Sequence, residues 1–294
     1  MNWLNKAIEM QYNNKSWDLI IDEMRLYSEF QQLSDRQIYE KVRKAIFRAK
    51  RNKPTNGECN QKDTTVGVIG DTHIPFEHPG YLQFCIDTFK KHNVKRVVHI
   101  GDVFDHYCYS RFIKKPISLN PEQERELSKQ KVAPWTKAFP NLDWVLGNHD
   151  WRLLEFLENA GIDTGIVKGF RDIYDLPKTW NIYDEFDNLL VIDDVLYLHG
   201  SAYGGQLGAR TAAVNEQMSV VTGHAHPNAS IFWIANKRKL MFGMNVGWGG
   251  DNSKYSFAYN KKDKTKPILS CGIVHNSKQA EIITMDQEYF DIKE

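Results

Sequence analysis

Hydrophobic and polar positions change rhythm twice along this chain. Over residues 1–52 apolar side chains recur three and four apart, the spacing of a helix face. Ser34-Asp35-Arg36-Gln37 reads as a capping box with Ser34 as N-cap, and Ile38, Val42, Ala45, Ile46 and Ala49 follow at helical intervals. An upstream helix carries Trp17, Ile20, Ile21, Met24 and Tyr27. Asn52-Lys53-Pro54-Thr55-Asn56-Gly57 then breaks the pattern and reads as a linker.

From Thr64 short apolar runs alternate with amphipathic stretches. Strands are expected at Val66–Ile69, Val94–Ile100 and Trp144–Leu146, and helices at Tyr81–His92 and Pro121–Phe139. A repeated β-loop-α order places loop residues outside the carboxyl ends of the strands, where open α/β sheets bind ligands. Beyond residue 180 helical spacing becomes scarce. Strands are expected there at Leu189–Leu198, Val220–Thr222, Ser230–Ala235, Leu240–Val246, Ser256–Tyr259 and Ile268–Val274, with Asn236–Lys239 as a hairpin turn.

Composition narrows the picture modestly. A chain of 294 residues, 41% hydrophobic and 26% charged, can bury a sizeable core. Its net charge of +1 supplies no global attraction to nucleic acid or membrane, so such binding would need a local patch. The polar N-terminal stretch lacks the apolar segment of a signal peptide, and no run approaches the roughly 18 apolar residues of a membrane span. Cys59, Cys85, Cys108 and Cys271 form no C-x-x-C pair, which fits a reducing cytoplasm.

The chemistry is carried by five short motifs, each expected to end a strand. They are Asp71-Thr72-His73, Gly101-Asp102, Gly147-Asn148-His149-Asp150, His199-Gly200 and Gly223-His224-Ala225-His226. Carboxylates supply charge, imidazoles suit Mn, Fe, Zn or Ni, and an Asn adds a neutral oxygen, so together they suit transition metals rather than Mg or Ca. The order of the five resembles the calcineurin-like metallophosphoesterases over roughly residues 64–250.

That resemblance implies an α/β fold, a four-layer α/β/β/α sandwich over residues 61–294; the helical spacing and linker upstream set residues 1–55 apart as a small helical module. It implies two divalent transition metals, Mn foremost, clamping a phosphate ester while an activated water attacks phosphorus. Asp71, His73, Asp102 and His226 would hold the first metal. Asp102, Asn148, His199 and His224 would hold the second, with Asp102 bridging. His149 matches the family's catalytic histidine, with Asp150 orienting its ring. Ala225 stands where the family often has Thr. The gap from Asp102 to Asn148 exceeds the family's usual spacing and points to an inserted loop and helix.

Other residues keep two readings open. Asp105 and His106 follow the Gly-Asp turn, and His106 is either an exposed loop residue or a substrate contact. Arg111 and Arg152 grip phosphate or are surface charges, and Trp248 stacks on a substrate ring or packs in the core. His99 belongs to a buried strand and reads as a hydrogen-bonded core residue, whereas His78, His92 and His275 read as surface groups.

Arg43, Lys44, Arg48, Lys50 and Arg51 make a basic stripe behind a turn that loosely resembles a helix-turn-helix, which would recruit DNA or RNA; the alternative is a solvated helix face. The functional expectation is therefore a phosphoesterase leaning to nucleic acid. The alternatives are a Ser/Thr-type protein phosphatase, a nucleotide phosphatase, a DNA-binding regulator and a catalytically silent scaffold. Gly101-Asp102-Val103-Phe104-Asp105-His106 departs from the Asp-Arg-Gly usual in protein phosphatases.

Overall fold

The computed structural model describes residues 3–12, 16–39, 41–42, 45, 64–111, 116–185, 188–254, 256–257 and 265–286. Its backbone falls into two compact units, Met1–Asn60 and Gln61–Glu294.

In the first unit, α1 (Trp3–Tyr12) and α2 (Trp17–Met24) are followed by a tight helical turn at Ser28–Phe30. Helical backbone resumes at residues 35–39. Ser34 and Gln37 make the expected reciprocal bonds: Ser34 N–H donates to Gln37 Oε1 at 2.9 Å, and Gln37 N–H to Ser34 Oγ at 3.4 Å. Ala7, Ile20, Ile21, Met24, Phe30, Ile38 and Val42 form its small core, because helical spacing puts them on facing sides. Lys41 pairs with Glu29 at 3.2 Å and lies over the Phe30 ring. Arg43, Lys44, Arg48, Lys50 and Arg51 fall outside the described residues.

The second unit is built on two sheets. The first has the order β11-β10-β1-β2-β3-β4, and the second β5-β6-β7-β9-β8. In the first, β1 (Thr65–Ile69), β2 (Arg96–His99), β3 (Leu142–Val145) and β4 (Trp180–Tyr183) run parallel, while β10 (Ser270–His275) and β11 (Gln279–Thr284) add antiparallel. In the second, β6 (Val195–Tyr197), β7 (Ser219–Thr222) and β9 (Leu240–Asn245) are parallel, edged by antiparallel β5 (Leu190–Ile192) and β8 (Ser230–Ala235).

Side-chain alternation sorts the core into layers. Val66, Val68 and Val98 meet Leu190, Tyr197, Val221 and Met244 between the sheets. On the other face of the first sheet, Ile69, Trp144 and Trp180 pack with Phe89 of α3 (Tyr81–Lys91), Trp135 of α4 (Pro121–Ala138) and Phe170 of α6 (Phe170–Tyr174). On the second sheet, α7 (Gly208–Glu216) buries Gly208, Ala209, Ala212 and Ala213, small residues that permit close approach. The result is the expected four-layer α/β/β/α sandwich. Among the described residues no helix is long and apolar enough to cross a membrane.

Tyr81 ties the helix layer to the strand ends. Its hydroxyl accepts from Gly70 N–H at 3.0 Å and donates to Ser270 O at 2.6 Å. Tyr81→Phe would leave two buried backbone groups unpaired, a cost of about 2 kcal/mol. Thermal denaturation is expected to show a Tm lowered by on the order of 5 °C.

Several elements differ from expectation. The apolar run Leu189–Leu198 is not one strand but the hairpin β5–β6, turned at Asp193 and Asp194, with φ of 47° and 64°. Both residues occupy the left-handed conformation that a two-residue hairpin turn demands and that Asp tolerates. Ser256 and Phe257 are not strand: Phe257 N–H donates to Lys254 O at 3.1 Å in a tight turn, and its side chain is wholly buried. Also unforeseen were β4, β11, α7 and α5 (Asn148–Asn159), the last starting inside a motif. The long gap between Asp102 and Asn148 houses α4, begun by an Asn120–Gln123 capping box with Pro121 at its first position.

Candidate metal centre

The motifs converge because the carboxyl ends of both sheets meet. Gly223 N–H donates to His199 O at 3.0 Å, and Gly249 N–H to Asp71 O at 2.7 Å. His199 Nδ1 lies 3.0 Å from Ile100 O, joining the second sheet to the end of β2. A Cβ on Gly147 would collide with Asp102, and one on Gly223 with Asp71, so both motif glycines are needed for this approach.

Donor atoms of Asp71, His73, Asp102 and His226 lie within 4.8 Å of one another, and so do those of Asp102, His199 and His224. Asp102 belongs to both groups. Asn148 Oδ1 joins the second at 3.0 Å from His199 Nε2. His73, Asp102 and His224 are held at φ of 52°, 51° and 65°. Such left-handed backbone is costly for a non-glycine residue and clusters at functional sites.

The charges are arranged by burial and pairing. Burial and the neighbouring His149 push His73 down to about 4, against the pull of Asp105. Burial and His199 do the same to His224, also to about 4. Burial would lower His199 too, but the carboxylates of Asp102 and Asp71 outweigh it and raise that imidazole to about 10. Burial opposes ionisation of Asp102, yet His199 and His149 hold it well below the usual carboxylate range.

Three observations test whether these residues fit metal. Asp71 Oδ1 and Asp102 Oδ2 are buried with no hydrogen-bond partner. His73 Nε2 lies 3.1 Å from His226 Nε2, a separation that two imidazoles bound to one ion also have. Neutral imidazoles at His73 and His224 are the form that binds metal, and His199, held charged by Asp102 and Asp71, would give up its proton to a cation that takes over those carboxylates. The donor set fits divalent transition-metal ions.

Around this cluster the structure reassigns partners. His149 Nδ1 lies 2.8 Å from Asp105 Oδ1, and His73 Nδ1 sits 2.8 Å from the same oxygen. Asp150, expected to orient His149, does not touch its ring. Its oxygens accept from Phe104 N–H, Trp144 Nε1–H and Gly147 N–H at 3.0, 3.2 and 2.8 Å. It occupies the third position of α5, where a side chain bonds back to the helix start.

Arg152 Nη2 donates to His149 Nε2 at 2.9 Å and Nη1 to Asp105 O at 3.0 Å, so it is part of the site. His106 is buried, not exposed: its Nε2 meets Tyr174 Oη at 2.6 Å and its Nδ1 faces His149 O at 2.9 Å. Trp248 is only 1% exposed and stacks on His226, so its indole packs rather than awaiting a substrate. Arg111 pairs with Glu155 at 2.8 Å on the surface. His99 is the expected core residue, 3.0 Å from Thr72 Oγ1.

Glu124 of α4 was invisible in the sequence, a lone acid in a charged helix. It is 2% exposed and accepts from Tyr107 and Cys108 N–H at 2.7 and 2.9 Å, pinning the loop after Asp105.

Fold and donor set first define a class, a metal-binding α/β sandwich. The family model for calcineurin-like phosphoesterases matches residues 64–262, more than half of the chain, which belongs to that family. No curated protein matches the chain. Among solved structures, a novel archaeal phosphodiesterase is 20% identical, covering 76% of this chain and 100% of its own, with a TM-score of 0.38. Vacuolar protein sorting 29 from Cryptosporidium parvum is 14% identical over 76% of this chain and 97% of its own, TM-score 0.38. The phosphoesterase YfcE from E. coli is 15% identical over 71% and 87%, TM-score 0.38.

Proposed function

We propose that this chain is a two-metal phosphodiesterase acting on nucleic acid. The observation that carries the reading is Asp102, a buried carboxylate common to two donor groups. Asp71, His73, Asp102 and His226 would hold one cation; Asp102, Asn148, His199 and His224 the other. Manganese is the first choice, with iron, zinc or nickel compatible with the same donors. Bound there, the two cations supply an activated water and positive charge for the phosphoryl oxygens.

The chain's own residues do the rest. Asp105 anchors His149 Nδ1, which leaves Nε2 as the atom that exchanges a proton. From Nε2 the ring protonates the departing oxygen, and the Asp105 carboxylate stabilises the imidazolium before that transfer. Arg152 already donates to Nε2; an incoming phosphate oxygen would take over that donor, freeing His149 as substrate binds. Cys85, Cys108 and Cys271 are buried and outside any disulfide, which fits a reducing compartment such as the cytoplasm.

Nucleic acid is favoured by the basic stripe of Arg43, Lys44, Arg48, Lys50 and Arg51, which would contact phosphates. The test is a parallel Mn²⁺ assay on single-stranded DNA, duplex DNA, RNA, a phosphopeptide, a cyclic nucleotide and an aryl phosphodiester. The full chain is compared with a variant carrying Arg43→Gln, Lys44→Gln and Arg48→Gln. Cleavage of nucleic acid is expected, with kcat/KM falling on the order of tenfold in the variant and a shallower salt dependence. Aryl diester turnover should be unchanged. Turnover of the phosphopeptide alone would make the protein a phosphatase and overturn the assignment.

A further inference from the structure

At the other end of β1 from the candidate centre, a second set of metal-competent side chains comes together. Asp71 lies two residues past the end of β1, whereas His275 pairs with Thr65, its first. Six residue steps separate the two places, about 20 Å at a strand's rise. His92 caps the C-terminus of α3, His275 ends β10 and Glu281 lies in β11. Their donor atoms fall within 4.8 Å of one another.

The distances separate two explanations of this cluster. Glu281 Oε2 is 3.7 Å from His92 Nδ1 and 3.5 Å from His275 Nε2. Both exceed the roughly 2.7–3.2 Å of a normal N–H···O hydrogen bond. They sit near the edge of a tetrahedron drawn around a cation with bonds of about 2.0–2.2 Å, which is roughly 3.4 Å. One carboxylate oxygen thus faces two imidazole nitrogens at the separation of ligands sharing an ion. The two imidazoles are partly sheltered, at 15% for His92 and 29% for His275, while the Glu281 carboxylate is exposed at 48% and open to solvent.

We infer that His92, His275 and Glu281 form a separate structural site for one divalent transition-metal ion of the zinc class. Two imidazoles and one carboxylate suit Zn²⁺ and disfavour Mg²⁺ and Ca²⁺, which want oxygen. Water would complete the fourth position. Because one ligand comes from a helix end and the other two from the β10–β11 hairpin far along the chain, an ion here staples α3 to that edge. It binds the folded chain and not the unfolded one, so it raises stability by mass action. This site is independent of the catalytic assignment.

The test uses the full chain, stripped with chelator and titrated with Zn²⁺ alone. Bound zinc per chain and Tm are compared among wild type, His92→Gln and His275→Gln. Each variant is expected to bind one ion fewer and to lose part of the zinc-dependent rise in Tm. Mn²⁺-supported aryl diester turnover should stay at the wild-type level. One substitution sits at a helix end and the other at a strand end, so they share no folding liability. Equal zinc content and equal Tm response in wild type and either folded variant would overturn the inference. The zinc count reads out whether or not the chain hydrolyses any phosphate.

Discussion

Asp102→Asn is expected to lower kcat/KM for phosphodiester hydrolysis by on the order of 10³-fold, equivalent to about 4 kcal/mol of transition-state stabilisation. The size follows from position. Asp102 is the residue common to the group with Asp71, His73 and His226 and the group with His199 and His224, whereas His73 is shared only with the flanking cluster of Asp105 and His149. Removing its charge therefore weakens two cation sites in one step. Asn is the right probe because it keeps what the fold asks of this residue. It tolerates the left-handed backbone at φ 51°, and its amide oxygen still accepts from His149 N–H, a bond of 2.7 Å in the native chain. Metal content measured after Mn²⁺ loading should fall together with turnover, while far-ultraviolet circular dichroism stays unchanged. Turnover within tenfold of wild type would remove Asp102 from the centre.

How much of this was legible in the sequence depends on how local each signal is. Val66 and Val68 alternate with Gly67 and Ile69, so β1 and its two buried faces could be read directly. Asp71, His73, Asp102, Asn148, His199, His224 and His226 stood out because ligand chemistry restricts residue type, and the structure brings all seven together. The turn at Asp193–Asp194 was masked by apolar residues on both sides, since hydrophobic content does not reveal where a chain reverses. Helix α5 was hidden for a different reason: its first turn is spent on Asn148, His149 and Asp150, whose types announce chemistry rather than helix. The roles of Asp105 and Asp150 turned on contact alone. Both acids lie close in sequence to residues of the centre, and only the folded chain decides which one meets the histidine ring.

That decision gives the second large effect. His149→Ala is expected to cut kcat for cleavage of nucleic acid by roughly 10²–10⁴-fold, the usual worth of a positioned general acid. Metal content should not change, because Asp71, His73, Asp102, His199, His224 and His226 make up both donor groups without it. Leaving-group chemistry supplies the sharper readout. An alkoxide leaving from sugar needs a proton, whereas a nitrophenolate leaves readily without one. The variant should therefore lose far less activity on an aryl diester than on DNA or RNA. Equal losses on both substrates would mean that His149 acts on something other than the leaving oxygen. Asp105→Asn should show the same leaving-group pattern more weakly, since Asp105 holds the ring but exchanges no proton with substrate, and it should also lower metal content because the same oxygen holds His73. Asp150→Asn should not follow it. That carboxylate ties Phe104, Trp144 and Gly147 together, so its loss is expected to lower Tm while sparing the difference between the two substrates. A leaving-group effect in Asp150→Asn and none in Asp105→Asn would reverse the pairing that the geometry supports.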